Sequence, residues 1–185
     1  PISLTLEDVK KYHAGFYGAQ FAELAVVGQV DQAALLKEAE ALLGGWKTPA
    51  AFVRMTGKHR DVAAFNEKIE TPDKENAILR AGVRVKMNDS HPDAAALDLA
   101  DYMFGGGTAS RLFNRIRNVE GLSYGVSSSL NLPAEGDAAS FSVGAIANPT
   151  NTPKVEKIFM EELNKALKDG FTAAELEAAK KAIKD

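Results

Sequence analysis

The hydrophobic positions of this chain change period several times, and each change marks an element. From Thr5 to Phe16, Leu6, Val9, Tyr12 and Phe16 recur at helical spacing. Thr5 is a good N-cap, and Glu7 and Asp8 sit in a first turn that favours negative charge. Ala22 to Val27 is a short apolar run closed by Gly28 and predicts a buried strand. Asp31 caps a second predicted helix, Gln32 to Leu43, with an apolar stripe that includes Leu35, Ala39 and Leu42; Gly44 and Gly45 end it. Lys47 to Arg60 holds Pro49, Gly57 and mixed polarity, and reads as a loop and as the best place for an internal seam.

The period then drops to two. Asp61 to Glu70 and Asn76 to Lys86 predict strands. In the second, Ile78, Arg80, Gly82, Arg84 and Lys86 share one parity, while Ala77, Leu79, Ala81, Val83, Val85 and Met87 share the other. Such alternation suits a half-buried antiparallel sheet. Pro92 and Asp93 open a third helix that runs through Leu97, Ala100 and Met103 to Phe104. The triplet Gly105-Gly106-Gly107 stops it and reads as a tight connection needing positive φ. Thr108 is the expected cap of the next helix, Ala109 to Val119. Leu122–Leu130 and Ala138–Ala145 predict a hairpin about a Pro133–Gly136 turn. Pro153 to Lys168 predicts a helix with Val155, Ile158, Phe159, Leu163 and Leu167 on one face; Gly170 stops it, and Thr172 caps a last helix from Ala173. Strands joined by hairpins and mixed with helices point to an α+β fold, a mostly antiparallel sheet backed by helices on one face.

Composition narrows the chemistry. The 185 residues suffice for one domain with a substantial core. Net charge is −3, and the 22 basic residues are spread along the chain, so no nucleic-acid patch stands out. With no cysteine, disulfides, thiolate metal sites and cysteine nucleophiles are excluded. No apolar stretch approaches the roughly 20 residues of a membrane span. The three histidines, His13, His59 and His91, have no partner at metal-helix spacing, so no metal or cofactor site is expected in this chain. Ser127, Ser128 and Ser129 lie in a predicted strand without a nucleophile elbow. The glycine triplet follows a helix and lacks a P-loop lysine, which argues against phosphate binding.

The run GGGTASRLFNRIRNVEGLSYGV, Gly105 to Val126, carries the remaining chemistry. It places Arg117 near the end of a helix and Tyr124 early on the next strand, on either side of a turn at Gly121. A guanidinium and a phenol brought together this way can both donate to one oxyanion or peptide carbonyl. The alternative is structural. Tyr124 shares its parity with Val126 and Leu130 and could be a core tyrosine with its hydroxyl at the sheet edge, and Arg117 a solvated helix-end arginine.

That same run resembles the glycine-rich, S-R-L-F, R-x6-Y segment of the pitrilysin/insulinase family of zinc metallopeptidases, the inverted zincins that include mitochondrial processing peptidase. The likeness extends to LTLEDVKKYHAGFYGAQFAELAVVGQVD, to LLGGWKTP and to FTAAELEAAKKAI, and so runs over essentially the whole chain. It implies a single α+β peptidase-family domain over residues 1–185, an excised or truncated part of a longer chain. Such domains come in homologous pairs facing across a cavity. One bears the zinc-binding H-x-x-E-H; the other bears the arginine and tyrosine that hold extended peptide substrate and help stabilise the oxyanion. Carried onto this sequence, those residues are Arg117 and Tyr124, presented beside an exposed sheet edge to which a peptide could add as a strand.

The zinc motif is absent here, so the chain alone is expected to be inactive, with zinc on a homologous partner domain, fused or separate. Gly18, Ala19 and Gln20 stand where that family often has proline and asparagine. Two further readings stay open: a proteolytically inactive scaffold or peptide-binding subunit of the same family, and an unrelated α+β binding domain. Neither nucleic acid nor membrane is expected as a partner. Nothing resembles an organelle-targeting segment, and a bacterial periplasmic or cytoplasmic setting fits equally.

Overall fold

A computed structural model describes residues 3–184; Pro1, Ile2 and Asp185, the ends of the expected domain, lie outside the described residues. The chain divides into two compact units, Pro1–Met55 and Thr56–Asp185. The division falls inside Lys47–Arg60, where composition suggests a seam.

The first unit holds two helices, α1 (Leu6–Phe16) and α2 (Gln32–Leu43). Both start where the caps dictate. Thr5 and Asp8 form a reciprocal capping box, and Asp31 accepts from the Ala34 amide at 3.0 Å. Gln20 braces the Trp46–Thr48 segment, its amide donating to Thr48 O at 3.0 Å and accepting from Thr48 N at 3.2 Å. A Cβ on Gly18 would stand 2.5 Å from Thr48 N, so glycine is required there by space. The strand predicted over Ala22–Val27 does not form, and no described residue of this unit is buried. A fully buried strand needs a ladder beside it and cover on both faces, and the unit supplies neither among its described residues.

In the second unit, β1 (Ala77–Lys86), β2 (Ser123–Asn131) and β3 (Ala138–Ala147) form an antiparallel sheet in the order β1-β3-β2. The observed β1 matches the parity reading except at Val83, which is 56% exposed. Ala77, Leu79, Ala81 and Val85 are partly covered on the helix side, and Arg80, Gly82, Arg84 and Lys86 are exposed on the other. The strand predicted over Asp61–Glu70 is absent. Its apolar residues explain why: Val62 and Ala64 have one parity, Phe65 and Ile69 the other, so no single face can be buried.

Helices α3 (Ala94–Asp101), α4 (Thr152–Asp169) and α5 (Ala173–Lys184) accompany the sheet. Two π-helical stretches, Tyr102–Gly106 and Phe113–Val119, replace the end of the expected third helix and most of the helix expected over Ala109–Val119. Leu112, Ile116 and Val155 are 0% exposed and meet Val126, Val143 and Ala145 of the sheet. Phe104 packs at 6.1 Å from the Phe141 ring and 6.4 Å from Phe159. Truncating a residue such as Leu112 to alanine typically costs about 2–5 kcal/mol.

The glycine triplet has a different reason from the one its sequence suggests. None of its three residues has positive φ. Gly105 instead lies against β2, where a Cβ would meet Ser128 N at 2.7 Å and its hydroxyl oxygen at 2.5 Å. The first π-helical stretch can therefore lie on the strand only if Gly105 has no side chain.

Candidate functional site

Arg117 reaches the backbone of Tyr124, and two departures from regular backbone shape this corner. The first is the π-helical stretch carrying Arg117. Its wide turns are closed by Glu120 N donating to Arg115 O at 3.2 Å and Leu122 N donating to Ile116 O at 3.0 Å. Gly121 follows with φ +62, and a Cβ there would meet no heavy atom within 4 Å, so conformation rather than space requires glycine. Glu120 accepts from Lys154 at 2.7 Å and from Arg115, which ties the turn to the start of α4. These cations hold the Glu120 carboxyl below its ordinary range, Lys154 foremost through its hydrogen bond.

The second departure is a β-bulge. Ser123 pairs with Ala147 and Gly125 with Ile146, which leaves Tyr124 as the extra residue. Ser123 and Val126 both turn inward and are buried, although they are three apart. Tyr124 is thereby thrown outward, 79% exposed. Strict alternation, which groups Tyr124 with Val126 in the core, fails at this point. The bulge is stapled by Ser123, whose hydroxyl donates to Ile146 O at 2.6 Å and accepts from Gly125 N at 3.1 Å.

Across the turn, Arg117 Nη1 donates to the backbone carbonyl of Tyr124. Its guanidinium also lies 5.1 Å from the centre of the Phe113 ring. These contacts fix the arginine's direction while leaving its other N–H groups and the Tyr124 hydroxyl turned to solvent. Both side chains are exposed. The corner thus exposes two hydrogen-bond donors, the Arg117 guanidinium and the Tyr124 phenol.

Arg111, in the S-R-L-F part of the same run, is used differently. It grips Glu175 through Nε at 2.6 Å and Nη2 at 2.9 Å, donates to Gly170 O at 2.8 Å, and lies 4.5 Å from the Phe171 ring centre. Glu175 closes a capping box with Thr172 at the start of α5. The Arg111 hydrogen bonds hold the Glu175 carboxyl down at about 2. Neither this joint nor the Ser123 staple is read from the sequence, although Thr172 followed by Glu175 is a visible capping-box signal.

The β2 edge is blocked at Ser128 and Leu130. Asp101 accepts from the Ser128 hydroxyl at 2.5 Å and from Leu130 N at 3.1 Å, and Gly105 crowds Ser128. Among the described residues no strand pairs with the far edge of β1. Also among them, no group of three or more histidine, aspartate or glutamate side chains could hold a metal ion. No helix of the described residues is long and apolar enough to cross a membrane.

The geometry defines an α+β domain with helices on one sheet face and a paired arginine and tyrosine at one corner. Comparison with known proteins gives the family. The family model of the peptidase M16 inactive domain matches residues 3–183. An uncharacterized zinc protease of Mycobacterium tuberculosis is 28% identical over 186 residues, covering 98% of this chain and 41% of that protein. A non-peptidase homolog of Helicobacter pylori, YmxG, is 33% identical over 121 residues, 63% of this chain and 26% of that protein. Among solved structures, a peptidase M16 inactive domain from Pseudomonas fluorescens superposes with a TM-score of 0.78 at 25% identity, covering 98% of this chain and 43% of that one.

The chain belongs to the peptidase M16 family, as its inactive domain. The family resemblance and the α+β fold read from the sequence are both borne out. The chain spans about two fifths of the length of the zinc proteases it matches, 41% in the example above.

Proposed function

We propose that this chain is the non-zinc half of a zinc metallopeptidase, in which Arg117 and Tyr124 hold the backbone of an extended peptide and donate to the oxyanion formed during cleavage. The zinc-bearing H-x-x-E-H half is a homologous domain, fused or separate, and residues 1–185 act as one domain beside it. The observation that carries this reading is the corner itself. Arg117 is oriented by the Tyr124 carbonyl, and a bulge turns the Tyr124 ring out to 79% exposure where a core residue would be hidden. Bulges and π-helical turns interrupt good hydrogen bonding and recur at functional sites, so their coincidence here favours a role beyond packing.

Preorganised donors lower a barrier when they sit where negative charge develops. Removing one typically costs about 10²–10³ in kcat. The test is peptide hydrolysis by the complete protein, wild type beside Arg117→Ala and Tyr124→Phe, with a chelator control. Chelator-sensitive cleavage that falls about 100-fold in either variant supports the reading. Cleavage indifferent to both variants removes the assignment of the site.

A second reading has its own observation, the likeness to a protein named as a non-peptidase homolog. In it, this chain is a scaffold or peptide-binding subunit of the same family. Failure of the complete wild-type protein to cleave a broad peptide set favours that reading.

A further inference from the structure

The helix-free face of the sheet has an unusual charge distribution for a chain of net charge −3. The register places Arg80 opposite Gly144 and Arg84 opposite Ser140. On the next strand over, Ser127 and Asn131 continue those rows. Both arginines are exposed, and the residues that follow them in those rows are uncharged. None of the positions that the register puts on this face is acidic. Among the described residues neither arginine has a hydrogen-bond or ion-pair partner. Lys86 lies two residues on, and shares a cleft with Asp61 and Asp137, so Arg80 and Arg84 dominate the face.

Polarity also changes along the face. The row beside Tyr124 is apolar, with Ile78 opposite Ile146, and the rows beyond it carry the arginines. At roughly 3.3 Å per residue, Arg80 and Arg84 are about 13 Å apart along the strand. That spacing matches side chains four apart on an extended peptide, which rise along their own backbone at the same rate.

We infer that this face selects acidic peptides: Arg80 and Arg84 take up aspartate or glutamate side chains of an extended substrate whose apolar part lies toward Ile78, Ile146 and Tyr124. This rests on the reading of the chain as the peptide-holding half of a peptidase and names the substrate class for it. Unpaired cations on strand positions that carry no carboxylate raise the local concentration of anionic ligands, and Arg binds a carboxylate with two parallel hydrogen bonds. A peptide is the favoured ligand because the cations rim a flat, small-residue strand surface next to an apolar row, which suits an extended chain with alternating side chains.

The test uses the complete protein, treated with chelator so that substrate is not turned over. Fluorescently labelled peptides of equal length carry either two glutamates four residues apart or two glutamines. Wild type should bind the glutamate peptide at least about tenfold tighter, and the preference should shrink as salt rises. The Arg80→Gln/Arg84→Gln double variant should lose the preference while binding the glutamine peptide as before. Arg80→Glu/Arg84→Glu should reverse it in favour of a lysine peptide, which also shows that the protein is folded. Equal wild-type affinities, or a preference that survives the double variant, overturn the inference. So does tighter, Arg80- and Arg84-dependent binding of a single-stranded oligonucleotide.

Cleavage of the glutamine peptide by untreated protein is measured in parallel with Tyr124→Phe. Cleavage that still depends on Tyr124, without a glutamate preference, overturns the acidic-substrate inference alone. A glutamate preference with Tyr124-independent cleavage overturns the oxyanion assignment alone. No binding of any peptide overturns both.

Discussion

Arg111 and Arg117 stand on the same helical run and end up in opposite situations. Arg111 is consumed: both faces of its fork are engaged by Glu175 and Gly170, and its plane is stacked on Phe171. Arg117 makes one anchoring bond to a backbone carbonyl and one ring contact, and is otherwise exposed. The difference lies in what faces each residue. A carboxylate fixed in the cap of α5 meets the first, and only the outward corner of a bulged strand meets the second. An arginine that satisfies its own protein's carboxylate is structural; one oriented by a neutral carbonyl keeps its charge available for a ligand.

The sharpest way to break this comparison is Arg117→Ala in the complete protein. If Arg117 donates to the oxyanion as proposed, the variant should lower kcat about 100-fold or more, since losing one such donor costs about 2.7–4 kcal/mol, while leaving the unfolding midpoint close to wild type. Tyr124→Phe should behave alike, with kcat falling more than KM changes. Arg111→Ala should do the reverse. Losing charged hydrogen bonds to a partly buried Glu175 should destabilise by about 2 kcal/mol in chemical denaturation, with kcat largely retained. If Arg111→Ala abolishes turnover at unchanged stability, the division of labour between the two arginines is wrong.

Much of this was legible from residue patterns. The parity of Ile78 through Met87, the caps at Thr5 and Asp31, and the stop at Gly170 follow from local chemistry that the fold does not override. That Arg117 and Tyr124 flank one short turn was legible too, since a short turn leaves the two ends little freedom. The direction of Tyr124 was not. A bulge is one inserted residue, invisible to a period-two pattern, and it depends on Ser123 reaching Ile146 on another strand. The Arg111–Glu175 joint has the same character, because its partners lie far apart in sequence. The strands expected at Ala22–Val27 and Asp61–Glu70 failed for a related reason: apolar residues alone do not make a strand without a ladder partner and a consistent face. Gly105 shows that a glycine's purpose can be misread as conformational when close approach to Ser128 is what demands it.

Gly121 probes the corner with a smaller perturbation. It sits at φ +62 in open space, so Gly121→Ala meets no clash and costs only the left-handed conformation, about 1 kcal/mol. If the turn positions Arg117 against Tyr124, this variant should lower kcat by more than that stability loss alone accounts for at saturating substrate. Gly121→Asn, which tolerates the left-handed region better, should recover most of the activity. Loss of stability with unaffected kcat would show that the corner does not depend on the turn's conformation.

The smallest effect, and the one that isolates the other arginine, is the pH dependence of stability. Glu175 has its folded carboxyl at about 2, below the ordinary 4.5, chiefly through the Arg111 hydrogen bonds. A group whose pKa is depressed by folding binds its proton more readily in the unfolded chain. Its contribution is therefore complete above about 4.5 and is lost as pH falls from there toward 2. Because the side chain keeps 30% of its exposure, solvent screening makes the effect modest. Glu175→Gln should flatten the stability profile within that window and leave it parallel to wild type above it. Arg111→Ala should flatten the same window, since it removes the first cause of the shift. Arg117→Ala should leave the profile's shape intact, because no carboxylate answers that guanidinium among the described residues. A change of slope in Arg117→Ala would mean that the two arginines share an acidic partner, and the contrast between a consumed and an available guanidinium would collapse.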